Sequence, residues 1–250
     1  MTKVLIAVLA DIHGNLAALK AVLADLQPRQ PGLIVNLGDC VSGPLEAGRT
    51  ASELMRLGWP TVRGNHDRYV VAPGGGGLSD SHARSELSPE QLGWLATLPA
   101  TISLLEGRLL ACHGTPASDE EYLAERVVGG EMVLAEAAQI AGRLGDTGKA
   151  EVILHGHSHL PRWLWLADGR LLLNPGSVGC PAYLDHDHRM QTGSPDARYA
   201  LLKVPQRQGE EWQAEFVTVG YDWQAAAELA ARRGRADWAE ALATGRVTPA

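Results

Sequence analysis

Three histidines stand at alternate positions in the stretch His155-Gly156-His157-Ser158-His159. Groups of the same chemical kind recur upstream, in Asp11-Ile12-His13, Gly38-Asp39, Gly64-Asn65-His66-Asp67 and His113-Gly114. Imidazole nitrogens and carboxylate or amide oxygens without thiolate suit Mn, Fe, Zn, Co or Ni better than Ca or Mg alone. Asp11, His13, Asp39, Asn65, His113, His157 and His159 are too many donors for one cation. Two divalent ions roughly 3.5–4 Å apart use all seven if one carboxylate bridges them. Two such ions, two aspartates and a bridging hydroxide leave about +1 in the site. That charge suits a phosphate ester, and water on such ions loses a proton near neutral pH.

The elements that must position these groups follow from periodicity. Lys3 to Ala10 is a continuous aliphatic run, as in a strand covered on both faces. Asn15 to Leu26 has a helical period and stops near Pro28; Leu33 to Leu37 is a second buried strand. Glu46 to Leu57 reads as a helix and Thr61 to Val62 as the start of a third strand. Ala72 to Ser81, with glycines at 74 to 77, reads as a surface loop, or as a mobile lid over a site. A helix over Pro89 to Leu98, a hairpin over Thr101 to Cys112 and a helix over Glu131 to Leu144 are expected next. Glu151 to Leu154 is a strand running into the histidines. Strands at Arg162–Leu166, Arg170–Leu173, Tyr199–Val204 and Glu215–Val219 precede two closing helices parted by Gly234, at about 222–245. The alternation is that of an α/β protein, read as one domain over residues 1–250. The polar groups fall where apolar strands end, each beside a glycine. Such ends open onto one crevice, and i and i+2 in extended chain point the same way, so Asp11 would aim with His13 and His157 with His159.

Composition excludes other classes. The 250 residues are 45% hydrophobic and 20% charged, enough for a sizeable core, with a net charge of −7. That charge and the lack of a basic run argue against strong nucleic-acid binding. No apolar run is long enough to span a membrane. The opening MTKVLIAVLADIHGN lacks a small-residue cleavage site and reads as a buried strand rather than a signal peptide. Three cysteines give no disulfide framework, which fits a cytoplasmic protein.

Taken in order, DIHGN from Asp11, GDCVSGP from Gly38, RGNHD from Arg63, CHGTP from Cys112 and HGHSH from His155 resemble the calcineurin-like metallophosphoesterase superfamily. NPGSVG from Asn174 and the closing helices resemble its small bacterial members, so the resemblance covers nearly the whole chain. It implies a four-layer α/β/β/α sandwich of two mixed β-sheets flanked by helices. It implies that Asp11, His13, Asp39 and His159 hold one metal and Asp39, Asn65, His113 and His157 the other, Mn foremost, with Asp39 bridging. His66 would face the substrate, stabilise phosphoryl charge and protonate the leaving oxygen, with metal-bound hydroxide as nucleophile. Protein phosphatases and diadenosine tetraphosphatases of the family continue the second block as GDxVDRG, and protein phosphatases carry RGNHE; this chain has neither. The short DxHGN form resembles phosphodiesterases. A small phosphoester, with nucleotides among the candidates, is the expected substrate. Phosphomonoesterase activity and a noncatalytic phosphate- or nucleotide-sensing module are the alternatives, and the oligomeric state is left open.

Other residues have plainer readings. His155 is a core or supporting histidine. Asp67 either orients His66 or caps a helix start; Arg63 either contacts phosphate or forms an ion pair. Asn174 and Ser177 shape a loop. Asp185-His186-Asp187-His188 lies in a polar stretch without strands, a rim more than a second metal site. Cys112 should turn into the core, while Cys40 or Cys180 near the metals would bring mild sensitivity to oxidation.

Overall fold

The computed structural model describes residues 5–186, 188–206 and 210–248; Lys3 and Val4 of the expected first strand lie outside them, as does Asp187. β1 (Leu5–Leu9) leads into α1 (Leu16–Arg29), whose start is capped by the Asn15 side chain accepting from the Ala18 N–H at 3.1 Å. β2 (Leu33–Asn36) returns parallel to β1, with Ala7 opposite Ile34. Then come α2 (Ala47–Leu57), α3 (Asn65–Val71), α4 (Leu78–Glu86) and α5 (Pro89–Thr97). β3 (Thr101–Leu104) and β4 (Leu109–Cys112) form the expected hairpin. β5 (Glu125–Val128) and β6 (Glu131–Leu134) form another, ahead of α6 (Ala137–Leu144). β7 (Val152–Leu154), β8 (Arg162–Trp165), β9 (Leu171–Asn174), β10 (Ala182–Leu184) and β11 (Arg189–Gln191) follow. β12 (Ala197–Lys203), β13 (Gln213–Val219), α7 (Trp223–Arg232) and α8 (Ala236–Thr244) complete the order.

The result is a mixed α/β fold with three sheets among the described residues, where two were expected. The first runs β13-β12-β1-β2, the second β3-β4-β7-β9-β8, the third β10-β11-β6-β5. In the second sheet β4, β7 and β9 are parallel and the edge strands antiparallel. Strand alternation builds the core. Ile6 and Val8 of β1, with Ala200 and Leu202 of β12, meet Leu109, Ala111, Val152, Leu154, Leu171 and Leu173 of the second sheet. Ala7 and Leu9 point the other way, onto Leu19 and Val22 of α1 and Ala51 and Leu54 of α2. The outer face of the second sheet turns Cys112, Ile153 and Leu172 onto Ile140 and Leu144 of α6. Cys112 is thus in the core, as alternation required.

Four readings need correction. The helix expected over Glu131 to Leu144 begins only at Ala137. Met132 and Val133 instead pair with Val127 and Arg126 across Gly129-Gly130, whose φ values of 60° and 79° give the turn that matches strand twist. The stretch after Pro181 is not strand-free: β10 and β11 pair Ala182 with Gln191 there. Thr61 makes only a single bridge to Asn36. The loop through Gly74–Gly77 ends in a helix, α4, whose first turn Asp80 closes by accepting from the Gly77 N–H at 2.8 Å.

Candidate metal centre

β1 and β2 stop, but their hydrogen bonding continues into the loops. Asp11 N–H donates to Gly38 O (3.0 Å), His13 N–H to Asp39 O (2.9 Å) and Gly14 N–H to Cys40 O (3.1 Å). β4 delivers His113 and β7 delivers His157 and His159 from the second sheet. The convergence does not come from extended alternation, as expected from sequence. Asp11, His13, Asp39, His157 and His159 all have left-handed backbones, with φ between 51° and 67°. Asp and His tolerate this region better than most residues, and each such residue costs about 1–3 kcal/mol.

Buried polar side chains hold the loops in that shape. The Asp67 carboxylate accepts from the main-chain N–H groups of Asp39 (2.9 Å), Cys40 (2.9 Å) and Gly64 (3.0 Å). Ser177 Oγ donates to Asp11 O at 2.8 Å, and Asn174 Nδ2 donates to Gly156 O at 2.8 Å. Asn174 and Ser177 therefore shape loops, as expected. Gly64 is required by close approach: a Cβ there would lie 2.1 Å from Asp39 Oδ1.

All seven expected donors are brought together. One buried group is Asp11, His13, Asp39 and His159; a second is Asp39, His113 and His157, and within each the ligand atoms lie within 4.8 Å of one another. Asn65 Oδ1 joins the second group, 3.1 Å from His113 Nε2. Main-chain carbonyls set the tautomers. Nδ1–H of His13 donates to Ser42 O (2.8 Å), that of His113 to Leu37 O (2.7 Å) and that of His159 to Cys180 O (2.8 Å). His157 is reversed: its Nε2–H donates to Glu120 O at 2.9 Å, leaving Nδ1 for the site.

The donor chemistry fits cations. Burial pulls His13 down to about 4, His157 to about 3 and His159 well below the usual imidazole range, so all three are neutral at pH 7. Two lone pairs, on His13 Nε2 and His159 Nε2, then face each other at 3.2 Å, an arrangement that a cation relieves. Asp11 Oδ2 is buried without a partner. Burial pushes the Asp11 carboxyl up to about 8, with the charge of Asp39 adding to the shift against His113. Burial opposes the charge on Asp39 too, but His113 and His66 hold it well below the carboxylate range.

His66 stands apart from both groups, at the cavity wall. Its Nδ1 is 2.7 Å from Asp80 Oδ1, and Ser42 Oγ donates to the same oxygen at 2.7 Å. Burial disfavours its charge, yet Asp39 and Asp80 raise it to about 9. Asp67 does not orient His66; it closes the start of α3 and ties that start to the Asp39 loop. Arg63 is an ion-pair residue, its Nε 3.9 Å from Asp119, and does not line the cavity. His155 is fully buried with neither ring nitrogen hydrogen-bonded, a core residue that steadies no ligand by hydrogen bond. Asp185 and His186 lie on the rim of the cavity, whereas His188 turns inward to Tyr122 (3.0 Å). All three cysteines are free and buried; burial raises the thiols of Cys40 and Cys180 and takes Cys112 to about 12, which argues against the expected oxidation.

Sequence reasoning missed Asp80. Its signal was the capping pattern behind the glycine run, where Gly77 is followed three residues later by a carboxylate. It also missed the breadth of the opening, a cavity of about 630 Å³ reaching from the donors to α8.

A family model described as the calcineurin-like phosphoesterase superfamily domain matches residues 4–204. The chain is 27% identical over 266 residues to the uncharacterized protein MJ0912 of Methanocaldococcus jannaschii, covering 98% of this chain and 100% of that one. It is 25% identical to a metallophosphoesterase from Sphaerobacter thermophilus of known crystal structure, with a TM-score of 0.74 and coverage of 98% and 100%. The hypothetical protein PH1004 from Pyrococcus horikoshii shares the fold, with a TM-score of 0.77 at 16% identity and the same coverage.

Proposed function

The chain belongs to the calcineurin-like phosphoesterase superfamily, and from that premise we propose that it hydrolyses phosphodiesters with the help of two divalent transition-metal ions. The observation that carries this reading is Asp39, one buried carboxylate that belongs to both donor groups. We assign Asp11, His13, Asp39 and His159 to one ion and Asp39, Asn65, His113 and His157 to the other, with Mn²⁺ foremost and Fe, Zn, Co or Ni as alternatives. Bound there, the ions supply Lewis-acid charge and an activated water. The chain supplies the rest. Main-chain carbonyls fix which ring nitrogen of each imidazole faces the ions. His66, held through Nδ1 by Asp80, keeps Nε2 for the phosphoryl oxygens and delivers a proton to the leaving oxygen.

Wall charge supports a diester over a monoester. Among the described residues lining the cavity there is no lysine and one arginine, Arg235, already tied to Asp237 at 2.9 and 2.6 Å. Beyond the metals a monoester dianion would meet only the His66 imidazolium, already paired with Asp80, whereas a diester carries a single negative charge. We read the succession of helix, sheet, sheet and helix as the four-layer sandwich, residues 1–250 as one unit with α7 and α8 as its closing pair, and the substrate as a small phosphoester. No described helix is long and apolar enough to cross a membrane; the unpaired cysteines support a cytoplasmic location.

The test is to strip the protein of metal, restore Mn²⁺, and compare bis-p-nitrophenyl phosphate with p-nitrophenyl phosphate. Diester cleavage that returns with metal and is lost in Asp39→Ala is the expected result. Preference for the monoester would replace the reading with a phosphomonoesterase. Turnover of neither ester with Mn²⁺, Co²⁺, Ni²⁺ or Zn²⁺, in a protein that still binds the metal, would leave a sensing module.

A further inference from the structure

Four imidazoles of the cavity each carry an aromatic ring. Trp238 lies 5.9 Å from His13, Tyr69 5.7 Å from His66, Tyr122 4.5 Å from His157 and Tyr183 5.0 Å from His159, measured between ring centroids. The four come from α8, α3, the loop after β4, and β10, and all four line the cavity. One such contact is ordinary packing. Four, from elements far apart in the chain and around one opening, make an apolar collar. The tyrosine hydroxyls are engaged within the wall, those of Tyr122 and Tyr183 with each other at 2.9 Å and that of Tyr69 with Glu120.

Trp238 differs from the other three. It lies beyond residue 204, where the family match ends. Gly43 gives it room, since a Cβ there would meet Trp238 Cη2 at 3.0 Å and His13 O at 2.8 Å. Beside it, Arg235 sits 5.9 Å from the ring, its charge taken up by Asp237 and its Nη1 donating to Ser79 Oγ at 2.8 Å. Elsewhere on the cavity wall Glu120, beside Tyr69, and Asp185, after β10, add negative charge that disfavours a second phosphate.

We propose that Trp238 is a specificity-determining residue, forming one face of a subsite for the flat, uncharged organic group of a phosphodiester with a single phosphate, a nucleoside ester being the class that fits. The volume, about 630 Å³, accommodates a base and sugar beside the phosphate, and stacking on an indole face is the interaction that tells a base from a small alkyl group. This rests on the phosphodiesterase reading, but its test separates the two.

Thymidine 5′-(p-nitrophenyl phosphate) and methyl p-nitrophenyl phosphate share a leaving group and differ in the group that Trp238 would meet. The Mn²⁺-loaded wild type should prefer the nucleoside ester by about tenfold or more in kcat/KM. Trp238→Leu keeps apolar bulk and should bring that ratio to within about threefold of unity, mostly through KM, while Trp238→Phe keeps most of it. The ratio is read within each variant, so loss of the His13 contact does not enter it, and a melting curve confirms folding. In parallel, calorimetry compares thymidine 5′-methylphosphonate with methyl methylphosphonate. A binding contrast in the wild type that Trp238→Leu abolishes upholds the subsite even if neither ester is cleaved, in which case only the hydrolase reading fails. Equal ratios in wild type and Trp238→Leu, or a thymidine 5′-diphosphate p-nitrophenyl ester cleaved as well as the single-phosphate ester, would overturn the proposal.

Discussion

The donor centre and the collar around it occupy one cavity but are built differently. The donors come from four strand-end loops and, for Asn65, the start of α3, and six of the seven are no more than 6% exposed. Each imidazole among them is fixed by a main-chain carbonyl, and the Asp39 loop by the Asp67 carboxylate. The collar is held by ring contacts and by tyrosine hydroxyls bonded along its rim, on elements that include a third sheet with large exposed apolar residues: Val128, Leu134 and Leu184 are 46 to 48% exposed. A buried polar group left without a partner is costly, so the centre demands particular atoms at particular places. Ring packing asks only for a flat apolar surface of about the right size.

The contrast is broken most severely at Asp39. Asp39→Ala should lower kcat/KM by roughly 10³-fold or more and cut bound metal, measured by rate and by elemental analysis, because both donor groups lose a member. Full occupancy at both sites in that variant would show that the carboxylate is not shared. Next is Asp67→Ala, which removes the acceptor of three buried N–H groups. It should cost about 3 kcal/mol in urea unfolding and weaken metal binding although Asp67 is no ligand. Unchanged stability would show that the loops need no such tie.

Asp80→Asn should reduce kcat by about 10- to 100-fold with KM and metal content unchanged. If Asp80 acts by positioning His66 as a proton donor, the loss is larger with a phenol leaving group than with p-nitrophenol, which departs without a proton. Equal losses would make Asp80 a structural residue only. The smallest effect belongs to the third sheet: Leu134→Gln, at an exposed site remote from the donors in sequence, should shift stability by less than about 0.5 kcal/mol. A larger change would mean that the exposed face is buried in an assembly of copies, which sedimentation would detect.

The buried half of the fold was legible for a physical reason. β1, β7 and β9 lie between covering layers, so their aliphatic runs are unbroken, and α1 shows its period against the first sheet. β5, β6, β10 and β11 were not legible. Their strands are three or four residues long and half-exposed, and Met132 to Leu134 blended into the apolar period of α6. The geometry of the donors was legible only in part: Asp11 and His13 do aim together, through left-handed turns rather than a straight strand.

Residue type, order and neighbouring glycines determined which groups meet at the centre, because metal-binding chemistry restricts the donors to a few atoms and the close approach of Asp39 to Gly64 leaves no space for a side chain. Tertiary structure alone decided that Asp80, fourteen residues on, holds His66, and that Trp238 closes over His13. Those contacts depend on where helices α4 and α8 come to rest, which is set by packing over the whole molecule and leaves no local pattern along the chain.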